Sequence, residues 1–365
     1  MKINQFEPFI EQIEYESIKE CFDTNWITEG PKSKLFVNRL CELMNVKYGV
    51  LAPNGTLAIY IALKSLNIKA GDEIIVPDFT FIGSANAVEM IGAKPVFCDI
   101  DYDLQIDINS CEKLLTENTK GIMPVHIYGM AANMDAVCEF AKKHNLYIIE
   151  DAAQAVGIKW NDKHAGTFGD VGAFSFFADK TITTGEGGFV CTNNEETYKN
   201  LLYIRNQGRI NRGSFIHPEI GYNFRMTDIQ SSIGLVQLDK LNLIVEKKLG
   251  ILNLYKKLLK KNENIEIIEP NSNSKSNHIP FRVAIMTKNG SNEGLMNNLK
   301  KNDIETRTFF HPLHLQPCYL ELNNNKDIKV SKDVYSRGIC LPSYPTLKNE
   351  EIEYICEKIN LYYFY

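Results

Sequence analysis

The chain has 365 residues, room for a large domain and a smaller one, and its 44% hydrophobic and 23% charged residues are the ordinary balance of a globular protein with a sizeable core. A net charge of −5 offers no basic field to nucleic acid or an anionic membrane, so anionic ligands must be held by local groups. The opening MKINQFEPFIEQIEYESIKE does not read as a signal peptide, and no run of about 18 apolar residues reads as a membrane span.

Residues 1–30 begin with a helical pattern and end in the loop TNWITEG, and 33–47 read as an amphipathic helix. VKYGVLAPNGTLAIYIALKSL reads as a short strand, a turn at Pro53-Asn54-Gly55 and a helix from near Thr56. Strands and helices then alternate. EIIVP (73–77), KPVFCDI, GIMPVHIYG and LYIIEDAA read as strands; IGSANAVEMIG, 108–116 and 132–144 read as helices. Buried β-runs alternating with helices imply a parallel sheet covered on both faces. VGAFSFF and GGFVCTN, separated by a glycine-rich turn, read as strands added to that sheet.

A long helix is expected from about Thr227 to Lys261, with 271–277 as a surface loop beyond it. PFRVAIM, 291–302, IETRTFF and 348–362 then read as strand, helix, strand and helix, a small α+β layer. The domain boundary is placed inside the long helix, giving 1–245 and 246–365. The nine cysteines are scattered without a CxxC pair, and the seven histidines form no HExxH, so reduced thiols and no metal site are expected, in a cytoplasmic protein.

Four stretches carry candidate chemistry. In APNGTLAIYIAL (52–63) a glycine opens a helix, offering Gly55 and Thr56 backbone N–H groups to a phosphate, with plain N-capping as the bland alternative. In PDFTFIGSANAV, Phe81 follows a strand end and could lie on a cofactor ring, although Phe is more often core. In YIIEDAAQAVG (147–157), Glu150 and Asp151 end an apolar strand, where open α/β sheets bind ligands; helix capping is the commoner role there. In GTFGDVGAFSFFADKTITTGEGGFV (166–190), Lys180 ends a buried strand ahead of three glycines. A buried lysine loses its proton more readily and becomes a nucleophile, but a lone lysine in a loop is usually surface. What stands out is the order: phosphate cradle, aromatic, strand-end Asp, then Ser-x-x-x-x-Lys.

That order, with NGTLA, PVHIYG, GYNFRMTDIQSSIGLVQL and ETRTFFHPLH collinear along nearly the whole chain, resembles the sugar aminotransferase family named after DegT, DnrJ, EryC and StrS. The resemblance implies an aspartate aminotransferase-like architecture (fold type I), with pyridoxal 5′-phosphate (PLP) as cofactor. It implies that Lys180 is the Schiff-base lysine and proton shuttle, that Asp151 holds the pyridinium nitrogen and that Gln154 contacts the phenolic oxygen. Phe81 would stack on the ring. Gly55, Thr56 and the Ser175 hydroxyl would hold the phosphate, and Asn223 would reach it from a neighbouring subunit, making a homodimer with shared active sites. Related sugar dehydratases carry His at the lysine position, which disfavours that chemistry here. TITTGEGG, GYNFRMTDIQ, ETRTFFHPLH and SRGICLPSYPTL are most similar to members that aminate GDP-4-keto-6-deoxymannose at C4 with L-glutamate as donor, for surface polysaccharides. Those members have an aromatic-rich segment where this chain has NHIPFRVAIM, so Arg282 is read either as an exposed strand residue or as part of a changed pocket. Trp26, His311 and His314 are further substrate-binding candidates. The alternatives are dTDP-4-keto-6-deoxyglucose or a small phosphorylated ketone as substrate, and a PLP-binding regulatory protein without turnover. An epimerase of the Rossmann type lacks its early GxGxxG.

Overall fold

The computed structural model describes residues 2–209, 213, 215–322 and 328–364. Two helices, α1 (Gln12–Asp23) and α2 (Pro31–Met44), precede strand β1 (Tyr48–Ala52) and helix α3 (Gly55–Ser65). Then come β2 (Glu73–Pro77), α4 (Gly83–Met90), β3 (Lys94–Cys98), α5 (Ile108–Glu112), β4 (Thr119–Ile122), α6 (Met134–His144) and β5 (Tyr147–Asp151). A two-stranded hairpin, β6 (Lys159–Trp160) and β7 (Lys163–His164), leads to β8 (Val171–Ser175), β9 (Gly188–Thr192) and α7 (Glu195–Arg205).

The large sheet has the order β1-β9-β8-β5-β4-β2-β3. Only β9 runs antiparallel to its neighbours. Both faces are covered, so successive residues of one strand enter different cores. Leu51, Ile75, Ile122, Ile148 and Phe174 pack on one side; Val50, Ile74, Val76, Met123, Ile149 and Ala173 pack on the other.

The expected long helix is two helices, α8 (Asp228–Asp239) and α9 (Leu241–Leu259), broken at Lys240. The break has a cause outside the local sequence. The Lys240 ammonium is drawn to Glu11 and Glu14, 2.9 and 2.8 Å away, and lies 4.0 Å over the Phe9 ring. Along α9, Leu241 and Ile244 pack in the large core while Ile251, Leu252 and Tyr255 pack in the small one, and we propose the passage between layers there, near residue 245. Ile3 crosses back into the small core and bridges Ile304.

The small layer is a sheet of order β10-β11-β13-β12, made of β10 (Ile265–Ile267), β11 (Val283–Thr287), β12 (Arg307–Thr308) and β13 (Gly338–Leu341). Helices α10 (Glu293–Lys301), α11 (Val330–Arg337) and α12 (Asn349–Phe364) complete it. IETRTFF is thus a two-residue strand, 108–116 is helical only to Glu112, and GIMPVHIYG leaves the sheet at Ile122. That last segment turns instead through Tyr128, at φ 50°, and Gly129, at φ 84°. A side chain at 129 would meet the Ile279 carbonyl at 1.9 Å, so this close approach needs glycine. The loop 271–277 is tied to the large domain: Ser276 bridges Trp160 and Asn277 bonds Lys159. A mixed cluster of Phe79, Tyr128, Phe281, Met286 and Phe309 joins the two layers.

Glu150 and Asp151 diverge because neighbouring strand residues face opposite sides. Glu150 is fully buried and accepts the N–H groups of Gly166, Phe168 and Gly169 at 2.6, 2.6 and 2.7 Å. It also lies 2.9 Å from His126 Nε2, while His126 Nδ1 accepts the Ala132 N–H, so Nε2 carries the proton. This carboxylate is a loop anchor. Replacing it strands buried donors, so Glu150→Ala is expected to lower stability by roughly 3 kcal/mol. A urea midpoint equal to that of the wild type would contradict this account.

Candidate active site

The parallel strands point their carboxyl ends at a cleft of about 490 Å³ between the two layers. Each wall comes from a different element. β1 is followed by Asn54, whose side chain accepts the Leu57 N–H at 3.0 Å and so starts α3. With that donor taken, Gly55 and Thr56 are the helix-opening residues that line the cleft. A Cβ at position 55 would stand 2.8 Å from Ser175 Cβ, so glycine is what lets α3 and the end of β8 meet.

Asp151, at the end of β5, is 5% exposed. Its Oδ2 accepts the Ser84 hydroxyl at 2.6 Å and its Oδ1 accepts the Ala153 N–H at 3.0 Å. Ser84 in turn lies 3.1 Å from Thr80 Oγ1. These donors hold the carboxylate in place at the cleft wall. Gln154 uses its side-chain oxygen to accept the Tyr128 N–H at 2.8 Å, which fixes the left-handed turn there. Phe81 is 59% exposed at the cleft wall, its ring 6.3 Å from Phe310.

Lys180 follows β8 in a turn closed by its own N–H on the Phe177 carbonyl. Its ammonium lies 4.4 Å over the Phe281 ring and 3.9 Å from Asp179 Oδ1. Burial pushes its pKa below the ordinary lysine value; Asp179 pulls the other way and Arg282 adds to the fall. Arg282 is buried, not exposed, and pairs with Asp179 Oδ2 while donating to Gln5 Oε1 at 2.5 Å.

Gly55, Thr56, Phe81, Asp151, Gln154, Ser175, Lys180 and Arg282 therefore come together at one cleft. Four candidates do not line it. Trp26 packs on Gly30, where an added Cβ would meet its indole. His311 stacks edge-on against Tyr335. His314 is buried and donates from Nδ1 to Asp78 Oδ2 at 2.7 Å, while its backbone N–H takes Asp78 Oδ1. Asn223 is exposed and accepts from Arg225. The cleft also gathers Tyr128, Asp179, Glu186, Arg307 and Phe310, which sequence reasoning missed. Asp179 alone had a signal, its place beside Lys180. Among the described residues no group of His, Cys, Asp and Glu could hold a metal. Among them too, no helix is long and apolar enough to cross a membrane.

The profile of the DegT/DnrJ/EryC1/StrS aminotransferase family matches residues 8–360, and the chain belongs to that family. It is 41% identical to the GDP-perosamine synthase of Escherichia coli O157:H7 over 362 residues, 98% of either chain. It is 35% identical to the GDP-perosamine synthase of Vibrio cholerae, again over 98% of both. Among solved structures it superposes on the PLP form of the putative sugar aminotransferase Spr1654 from Streptococcus pneumoniae with a TM-score of 0.93, at 27% identity over 99% and 98% of the two chains. Helicobacter pylori PseC, an aminotransferase of pseudoaminic acid biosynthesis, gives 0.92 at 28% identity over 100% and 99%. The fold is that of the PLP-dependent aminotransferases of type I, and the chain is a PLP-dependent transaminase acting on keto-sugars with an amino donor. The cleft fits that cofactor. It offers a helix opening that only glycine allows, a buried carboxyl group held by Ser84 and a buried lysine around one volume.

A second buried lysine lies behind the first. Lys248, on α9, donates only to the carbonyls of Pro280, Phe281 and Ser343, at 3.2–3.4 Å. Burial pushes its pKa down from 10.5 to about 8, with Arg282 adding to the fall. The unfolded chain would keep this proton to its ordinary pKa, so between about 8 and 10.5 the unfolded state binds more protons. Lys248 therefore adds stability as pH rises through that window, with a slope approaching about 1.4 kcal/mol per pH unit. Urea midpoints of wild type and Lys248→Met from pH 7 to 10 check this: the difference between them should move in favour of the wild type above pH 8, and a flat difference would refute it.

Proposed function

We propose that the enzyme moves the amino group of L-glutamate onto C4 of GDP-4-keto-6-deoxymannose, making GDP-perosamine for a surface polysaccharide. The single observation that carries this reading is the 41% identity, over 98% of both chains, to an enzyme of that name. The residues in the cleft supply compatible roles. Gly55, Thr56 and Ser175 would hold the cofactor phosphate, Phe81 would cover the ring, and Gln154 would lie at its phenolic oxygen. Asp151 would keep the ring nitrogen protonated, and Lys180 would join the cofactor through its amine. When bound, the cofactor supplies a carbon that exchanges amines and a ring that takes up electron density.

The remaining steps belong to the chain. Once free of the cofactor, Lys180 Nζ would act as general base on glutamate Cα and, as general acid, would pass that proton to the cofactor carbon that carries the amine. The depressed pKa favours this, because a neutral amine is needed. In the second half the same Nζ would take a proton from that cofactor carbon and give it to C4 of the sugar, the reverse of the first transfer. The apolar cover of Tyr128, Phe281 and Phe310 keeps water from competing.

Asn223 lies outside the cleft of its own chain, which suits a role across a subunit boundary. The loop before it carries Phe215 and Ile220, 89% and 78% exposed, as a face for a second copy. A homodimer with shared active sites accounts for both. The nine free cysteines suit a reducing compartment, and the cytoplasm is the setting proposed.

Two measurements test the reading. Lys180→Ala should lose turnover by on the order of 10⁴-fold and lose the visible absorbance of the lysine-joined cofactor; normal turnover would remove Lys180 from the mechanism. A panel of GDP- and dTDP-linked 4-keto-6-deoxy sugars and phosphorylated ketones, incubated with glutamate, should release 2-oxoglutarate with the GDP sugar above all others. Preference for a dTDP sugar or a phosphorylated ketone would replace the substrate and leave the cofactor chemistry in place.

A further inference from the structure

An aminotransferase lysine is released from the cofactor in each half of its cycle, and a released ammonium in a buried site needs a partner. The strongest unexplained feature near Lys180 is a buried acceptor with nothing bound to it. Asp179 Oδ1 has no hydrogen-bond partner, although the side chain is only 7% exposed. Leaving such an oxygen unsatisfied is unfavourable unless another state of the protein fills it. Its sister oxygen Oδ2 is paired with Arg282, which is tied in turn to Gln5, so the carboxylate is fixed from behind with one oxygen left over. That oxygen faces Lys180 Nζ across 3.9 Å. Phe281, next to Arg282 in sequence, places its ring 4.4 Å from the same ammonium. Lys248 holds the Phe281 backbone through its carbonyl.

We propose that Asp179 Oδ1 and the Phe281 ring form the seat of the free Lys180 ammonium, with Arg282 positioning the carboxylate, so that the lysine is held ready whenever it is not joined to the cofactor. The inference rests on the reading of Lys180 as the cofactor lysine. A rotation of the lysine tip closes the gap to about 2.8 Å, the length of a charge-assisted hydrogen bond. Asp179 and Arg282 are then positioning residues acting on one catalytic group in opposite senses. The carboxylate favours the charged lysine, and the guanidinium disfavours it. The other charged groups around the same cavities are Asp151 from β5, Glu186 from the glycine turn, Arg307 from β12 and Glu7 from the N-terminal segment. Arg307 also approaches Asp179 Oδ2, at 3.9 Å. The pairing joins the lysine loop of the large layer to the strand segment of the small one, so the seat exists only when the layers are docked.

The test uses the full chain loaded with pyridoxamine phosphate, the state in which Lys180 is free, and reads its reactivity instead of turnover. Trace acetic anhydride labels neutral amines, and peptide mass spectrometry follows Lys180 as pH is varied. In wild type, Lys180 should label in the pyridoxamine form and be protected in the pyridoxal form; equal labelling in both would refute the lysine assignment and the seat with it. Asp179→Asn removes the stabilising charge, so Lys180 should lose its proton more easily and label about tenfold faster below its pKa. An unchanged or slower rate, with protection in the pyridoxal form intact, overturns the seat alone. Arg282→Gln guards against a loosened loop in the first variant. With one opposing cation gone, Lys180 should label more slowly, whereas a purely structural pair would expose the lysine and speed labelling in both variants. An unchanged or faster rate in Arg282→Gln also overturns the proposal.

Discussion

The structure depends on a sheet that is buried on both faces. Once Ile74 and Ile75, or Ile148 and Ile149, enter opposite cores, no strand interior can carry a polar group without a full set of partners. Chemistry is pushed to the carboxyl edge, where the first polar residues appear. Even there the two faces separate the roles. Glu150 points to the side where the loop 166–169 closes and is consumed by backbone donors. Asp151, one residue on, points into the cleft with Ser84 and Ala153 as its partners. Side-chain alternation thus decides which of two adjacent carboxylates is available to a ligand.

The cleft then concentrates charge in a small, dry volume. Three cations (Lys180, Lys248 and Arg282) lie near the Asp179 carboxylate. Burial lowers the pKa of both lysines, and the Arg282 guanidinium adds to the fall. A lysine that gives up its proton easily is what amine exchange requires. Lys248 is satisfied by three carbonyls, while the Asp179 carboxylate is held by Arg282.

Much of this was legible in the sequence because it rests on local periodicity. The β-α alternation from Tyr48 to Asp151, the glycine that opens α3 and the spacing from Ser175 to Lys180 are short-range signals, and each element lies within a few residues of its expected place. What was illegible depends on partners far along the chain. The break at Lys240 is set by Glu11, Glu14 and Phe9, some 230 residues earlier. GIMPVHIYG has the composition of a strand, yet it leaves the sheet because Gln154 captures the Tyr128 N–H and the Ile279 carbonyl crowds Gly129. His314 reads as a loop ligand until Asp78 is seen to occupy both its ring and its backbone. Ser84 and Arg307 lie in stretches that were legible, PDFTFIGSANAV and ETRTFFHPLH, but only folding shows that these two side chains reach the cleft.

Arg282 shows most clearly how a three-dimensional partner changes the meaning of a residue. In sequence it stands as an intrusion in an apolar strand, to be read either as exposed or as a hand for a substrate carboxylate. In the fold its guanidinium already binds a carboxylate, that of Asp179, and its remaining reach goes to Gln5. A substrate anion would have to displace a buried ion pair to use it, which is unfavourable because Asp179 would lose its nearest cation. Arginine at 282 and aspartate at 179 are therefore best understood together, as a buried pair beside Lys180. The more open part of the cleft is lined instead by Arg307, half exposed, and Phe81.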